Sequence, residues 1–346
     1  MNKNNRIEYI SLASVLSAIA VVYVHANGCF WRFSTSRYWF TANIIESVFY
    51  FAVPIFFMIS GAMLLDFNKK YGLKEYFQKR VHKTLIPYIV WSFIGLAIQL
   101  FYIHNISWSS VDLTYIVNGL LNGNLVNIYW FFISLFCIYL CIPVFAAISD
   151  DKKKSIFTYL AIATFVLNIF IPFVISVFQI PITFPISIQV MGGNLFFAVV
   201  GYLLHKYDLL KKYRFIIYFL ALIGLLLHIC GTYSLSMAAG ELVKTYRGYM
   251  KLPTVLYSIG VFIFIKYDFV NILKFDIIRK MVTYLDFYTF GIYLIHWYLI
   301  KFIEITFKLN NTSIIFRLFV PVIVLIMSVI VIYVIRKMPI IRSIVP

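Results

Sequence analysis

The chain has 346 residues, 62% of them hydrophobic and only 12% charged, with a mean hydropathy of +0.90. That balance excludes an ordinary soluble domain and describes a protein that crosses a membrane many times. A formal net charge of +17 would suit a nucleic-acid partner, but the basic residues sit in short connections between apolar runs, which excludes that reading in favour of a membrane topology signal.

Apolar runs predict an all-α, polytopic fold of about ten transmembrane helices, forming a single membrane domain over residues 1–346. Their expected limits are Tyr9–Gly28, Ala42–Leu65, Lys83–His104, Asn127–Ile148, Ser155–Phe178, Met191–His205, Arg214–Leu235, Leu252–Tyr267, Met281–Ile303 and Ser313–Ile335. With a cytoplasmic N-terminus, 22 of the 30 Lys and Arg residues collect on one face, so the positive-inside rule puts both termini in the cytoplasm. The first run follows a short basic start and lacks a small-residue cleavage site, so it is expected to stay as a helix. Its His25 lies too deep for the ring to reach water by snorkelling, and a titratable ring in a membrane helix marks a functional site by default. Ser14, eleven residues earlier, falls on nearly the same helical face, at the foot of a stripe of small residues that includes Ser11 and Ala18.

Glu46, near the outer start of the second run, is placed to orient or charge-tune a histidine ring. Pro54, Pro87, Pro143, Pro172 and Pro321 lie within or at the start of helices and are expected to kink them. The inner segment Asp66–Lys83 mixes basic and aromatic residues as an interfacial helix does. It ends in Lys79-Arg80-Val81-His82-Lys83, a concentrated positive field suited to phosphate. The outer segment Ser236–Lys251 carries Glu241, Lys244, Tyr246, Arg247 and Tyr249, a mixture suited to a sugar or other polar acceptor. The four cysteines show no metal-ligand spacing with histidine, so neither a metal nor a disulfide is expected. In the ninth run, His296 shares a face with Thr289 and Tyr293. Counting 1.5 Å per residue from the cytoplasmic ends, His25 and His296 come to depths of about 25 Å and about 23 Å, level with each other. Neutral imidazole accepts a proton near pH 7, which suits either ring to general-base work.

The order of short blocks along nearly the whole chain resembles the acyltransferase family 3 integral-membrane enzymes. Arg6-Ile7-Glu8-Tyr9-Ile10 before a helix ending in His25 is similar to the family's first helix, and Pro54-Ile55-Phe56-Phe57-Met58-Ile59-Ser60-Gly61 to its Pro-x-Phe-Phe-x-x-Ser-Gly signature. Tyr76-Phe77-Gln78-Lys79-Arg80 with Pro87-Tyr88 and Trp91-Ser92 follows. Trp130-Phe131-Phe132 with Tyr139 and Pro143, Phe197 through Gly201-Tyr202-Leu203-Leu204, and Phe290-Gly291-Ile292-Tyr293-Leu294-Ile295-His296 complete the series. One departure stands out: the family usually has Arg eleven residues before the first-helix histidine, and here that position is Ser14, with Ser11 in place of an acidic residue. Serine supplies no fixed positive charge, so any role of that arginine in holding a phosphate or acyl carbonyl is absent or moved, with Arg6 and Arg80 the nearest substitutes by sequence.

The resemblance implies a multi-pass enzyme of a bacterial plasma membrane that transfers an acyl group, usually acetyl, from acyl-CoA onto a cell-surface glycan or its lipid-linked precursor. Read onto this chain, Arg80 and Lys83 with Lys79 and Arg6 hold the CoA phosphates, and His25 deprotonates the acceptor hydroxyl. His296 orients the acceptor or donates to the carbonyl oxygen, while Ser14, Glu46, Trp130, Tyr293 and Arg247 face the substrate. Acyl-CoA, the glycan and membrane lipid are the expected partners, with no metal and no nucleic acid. Two rivals stay open: a proton-coupled transporter or flippase using the same histidines, although no paired broken helices are evident, and a catalytically inactive member of the scaffold.

Overall fold

A computed structural model describes residues 8–339 and 341–346, and every regular element among them is helical. The ten expected segments all form helices, several of them interrupted. The first is α1 (Glu8–Ala26). The second divides near Tyr50 into α2 (Arg37–Phe49) and α3 (Ala52–Leu64), with Pro54 in the first turn of α3, where a missing N–H costs nothing. The third runs as α4 (Leu73–Arg80), a π-helical turn at Val81–Leu85 and α5 (Ile86–Ile98). A short outer helix, α6 (Leu113–Asn122), precedes α7 (Trp130–Ala146). Then α8 (Asp150–Thr164) continues through a π turn at Phe165–Phe170 into α9 (Ile171–Val177). Pro87 and Pro172 each stand two residues beyond one of these π turns, which open the ladder just where a proline ring would otherwise meet the carbonyl four residues back. After α10 (Leu195–Lys206), α11 (Lys211–Leu226) passes by a π turn at Leu227–Gly231 into α12 (Thr232–Ala239). The rest is α13 (Leu252–Tyr267), α14 (Asp276–Asp286), α15 (Thr289–Thr306) and α16 (Ile314–Lys337).

Eight of these stretches are long and apolar enough to cross a bilayer, and α10 is a shorter apolar helix. The expected ninth helix, Met281–Ile303, is corrected: the chain turns after Asp286, so Met281 belongs to α14. That helix is amphipathic, exposing Ile277, Met281 and Tyr284 while burying Val282. Neither glycine nor proline stands at the turn itself, Asp286-Phe287-Tyr288, so the local sequence does not mark it.

α1 is the hub, packed against α2, α3, α13, α14, α15 and α16. α3 and α10 meet most closely because each offers a glycine to the other. A methyl group on Gly61 would lie 1.8 Å from the Ala198 carbonyl oxygen, and one on Gly201 would lie 2.2 Å from that of Met58, the small-residue approach that drives helix association in lipid. α8 and α11 turn large residues such as Tyr159 and Phe219 outward. At one end, called the basic end below, Asp66 gathers three connections by accepting from Lys153 Nζ (2.8 Å), Lys206 Nζ (3.0 Å) and the Tyr202 hydroxyl (3.1 Å). At the far end, the fully buried Arg317 of α16 ties the first turns of α2 to the α15–α16 connection through Tyr38 O (3.2 Å), Thr41 Oγ1 (2.9 Å) and Thr312 O (3.1 Å).

Candidate active site

α1 and α15 are joined by two polar rungs. Nearer the basic end, Ser14 Oγ donates to Thr289 Oγ1 at 3.1 Å. Nearer the far end, His25 Nδ1 and His296 Nε2 are 2.8 Å apart, with ring centroids 4.9 Å apart and planes 30° from parallel. The two histidines, 271 residues apart in sequence, therefore share one proton-bearing contact.

Their tautomers follow from the partners. His296 Nδ1 lies 2.9 Å from the Ile292 carbonyl oxygen, which can only accept, so Nδ1 carries a hydrogen. In a neutral ring Nε2 of His296 is then a lone pair, and the hydrogen at the 2.8 Å contact belongs to His25 Nδ1. The Val21 carbonyl, one turn back, also accepts from the His25 ring, as Ile292 does from His296 Nδ1, which leaves His25 Nε2 as the open lone pair. His296 is completely buried with both nitrogens engaged. His25 lines a cavity.

On the basic side of the pair is a cavity of about 320 Å³, lined by Ser14, Ser60, Arg80, Lys83, Thr84 and Tyr139, with Phe56, Phe131, Tyr293 and Pro346 among its apolar walls. The π turn between α4 and α5 carries Lys83 and directly follows Arg80. The Arg80 guanidinium lies over the Tyr139 ring at 5.3 Å and the Tyr76 ring at 5.7 Å, and its buried Nε has no hydrogen-bond partner. Neither Arg80 nor Lys83 has a carboxylate partner among the described residues. Lys79 is different: it turns away to Glu75 Oε1 (2.7 Å) and lies over the Tyr71 ring at 3.8 Å, so it does not join them. Arg6, the fourth expected phosphate ligand, lies outside the described residues.

Toward the far end a second cavity, of about 200 Å³, is lined by His25, Glu46, Trp31, Tyr50, Trp130 and Tyr249. Its walls are stacked rings: Tyr50 on Tyr249 at 4.6 Å and 2° from parallel, and Tyr249 on Trp130 at 5.3 Å. Burial pushes the Tyr249 phenol well above its ordinary pKa, so it stays a neutral donor. Glu46 is fully buried and paired with Arg247, and Asn27 Nδ2, which also donates to Ala42 O (2.8 Å), reaches Glu46 Oε2 at 3.3 Å.

Arg247 requires a correction. Expected on an outer loop in contact with an acceptor, it is instead buried behind the cavity wall, its guanidinium 4.3 Å from the centres of both the Phe30 and Tyr50 rings. A carboxylate and two aromatic faces compensate a cation that the loop would otherwise leave in water. Ser14, Glu46, Trp130 and Tyr293 do line the cavities, Ser14 on the basic side, Glu46 and Trp130 on the far side and Tyr293 on both.

Several lining residues escaped the sequence reading. Ser60 belongs to the Pro-x-Phe-Phe-x-x-Ser-Gly block and Tyr139 to the Trp130 block, so a signal existed for both. Trp31, Tyr50 and Thr84 offered none beyond residue type. Residues 7–337 match the sequence family described as Acyltransferase domain, numbered 3 among the acyltransferase families. No curated protein and no solved structure matches.

Proposed function

The chain belongs to this acyltransferase family, and we propose that it carries an acyl group, acetyl in the simplest case, from acyl-CoA to a hydroxyl of a cell-surface glycan or its lipid-linked precursor, within a bacterial plasma membrane. The observation that carries this reading is the hydrogen-bond chain Ile292 O, His296, His25, which leaves one basic nitrogen, His25 Nε2, beside a cavity large enough for an acceptor. His296 is then a positioning residue, fixing the tautomer and direction of His25 as an orienting acceptor does in other His-centred sites.

The donor is read into the basic-side cavity. Arg80 and Lys83, free of carboxylates, suit the phosphates of CoA, and the basic end is then the cytoplasmic one by the positive-inside rule. The thioester arm passes Ser60, Thr84 and the Ser14–Thr289 pair toward the histidines. The acceptor occupies the far-side cavity, where stacked Tyr50, Tyr249 and Trp130 offer flat apolar walls and Glu46 retains lone pairs for a sugar hydroxyl. His25 Nε2 takes the proton of the attacking hydroxyl, whose oxygen bonds to the thioester carbonyl carbon. As the carbon–sulfur bond breaks, that proton leaves with the CoA thiol.

Purified protein in liposomes, given radiolabelled acetyl-CoA and a lipid-linked glycan, should label the glycan. His25→Ala should lower the rate by roughly a hundredfold to ten-thousandfold. Labelling that persists at the wild-type rate in that variant would remove His25 from the chemistry.

A further inference from the structure

Tyr293 is the one residue, among those described, that lines both cavities. The boundary it marks is crossed by each neighbouring helix at the same level. On α7, Trp130 faces the far cavity and the adjacent Phe131 the basic one; on α3, Val53 faces the far cavity and Phe56 the basic one. The Tyr293 ring fills the gap between them, 4.9 Å from Phe131, 6.4 Å from Phe56 and 5.7 Å from the His296 ring, measured centre to centre. Its hydroxyl donates to the Ile128 carbonyl at 2.6 Å. One neutral hydrogen bond and ring contacts hold it, so the side chain can swing aside without breaking a helix.

We propose that the Tyr293 ring is the septum of an otherwise continuous passage through the protein, closed at rest and pushed aside by an arriving acyl chain. A passage with a positively charged mouth and a row of polar side chains would conduct protons and water if no ring closed it. Resting on the acyltransferase reading above, the same septum decides between transfer and hydrolysis. It keeps water of the basic side away from His25 Nε2 until the thioester itself fills the opening. Without the ring, His25 would take a proton from water, whose oxygen would add to the thioester carbonyl carbon. The carbon–sulfur bond would break, the CoA thiol would leave with that proton, and the carboxylic acid would ionise and release one proton.

The test uses proteoliposomes with an entrapped pH dye and an imposed potassium diffusion potential, read for proton entry, alongside thiol release from acetyl-CoA with no acceptor present. Tyr293→Ala should raise both rates about tenfold or more, and Tyr293→Phe, which keeps the ring, less than about twofold. Tyr257→Ala is the control: Tyr257 also donates to a backbone carbonyl, Val48 O at 2.9 Å, but lines neither cavity, and its leak should match wild type. If Tyr293→Ala does not fold, Tyr293→Leu is read in the same way. A folded variant without the ring that is as proton-tight as wild type overturns the septum. Increased proton entry without thiol release keeps the septum and overturns the acyl-CoA reading instead.

Discussion

The two cavities on either side of Tyr293 treat charge in opposite ways. In the basic-side cavity Arg80 and Lys83 line open space with no side-chain carboxylate partner among the described residues. In the far-side region the charges are paired: Glu46 is held by Arg247 and Asn27, and Arg247, although its Nε and Nη1 also lack hydrogen-bond partners among the described residues, has that carboxylate and is enclosed by aromatic faces. An uncompensated cation at a cavity mouth is a cost the fold bears in return for an anion that comes and goes. A compensated pair buried in aromatic packing is part of the frame and tolerates no partner loss. Similar residue types thus serve capture on one side and architecture on the other.

Substitutions can break that contrast. The largest effect should follow from Arg247→Met, which leaves Glu46 buried without its cation and should cost about 3–5 kcal/mol of stability, read by thermal unfolding of the purified protein. Adding Glu46→Gln should recover most of it, and a single variant as stable as wild type would mean that the pair is not structural. Next is His296→Ala, which removes an acceptor for His25 Nδ1–H. Folding should survive, while kcat for acyl transfer falls roughly a hundredfold with little change in KM, as expected for a positioning residue. Arg80→Gln should leave the unfolding temperature unchanged but raise the KM for acetyl-CoA about tenfold to a hundredfold. Added salt should shrink that difference, and a loss of stability instead of affinity would erase the distinction between the two sides.

The smallest effect belongs to an exposed pair at the basic end. Asp208 accepts from Lys266 Nζ (3.1 Å) and the Tyr267 hydroxyl (3.0 Å), contacts that hold its carboxyl below the ordinary aspartate pKa. A lowered folded-state pKa stabilises above the unfolded value, about 3.9, and that contribution fades as pH falls through the lower folded value. Asp208→Asn should therefore lower the unfolding temperature slightly and evenly from pH 5 to 8, and wild type and variant should converge in acid. Surface exposure keeps the difference small.

Much of this was legible in the sequence. Each of the eight stretches long and apolar enough to cross a bilayer overlaps one of the ten expected runs, because the bilayer demands long apolar runs with internally satisfied backbones, whereas the expected sixth and ninth runs give the shorter α10 and α15. Counting rise per residue put His25 and His296 at one depth. Depth alone, however, does not say which helices are neighbours, and the 2.8 Å contact depends on α1 packing on α15. Glu46 and Arg247 were each noticed, but their pairing across 201 residues was not, since a loop arginine looks solvated until the fold supplies a carboxylate and ring faces. The turn after Asp286 was invisible because nothing in its composition breaks a helix. Lys79 and Arg80 look equivalent in sequence, yet they part company, one paired with Glu75 and one facing the cavity.

The π turn at Val81–Leu85 lies between Arg80 and the rest of α5. Such a turn is an α-helix carrying one residue too many. The wide turn takes up the extra residue, so Arg80 before it and Pro87 after it face as they would on an unbroken helix. Losing a single residue there would close the turn into a regular helix with both flanks in place, and would remove or re-aim only what the turn itself carries, Lys83 included. A one-codon deletion could thus retire this lysine from the cavity while Arg80 stays in it, so the length of this turn is a place where relatives can gain or lose a cationic ligand without unfolding the helix.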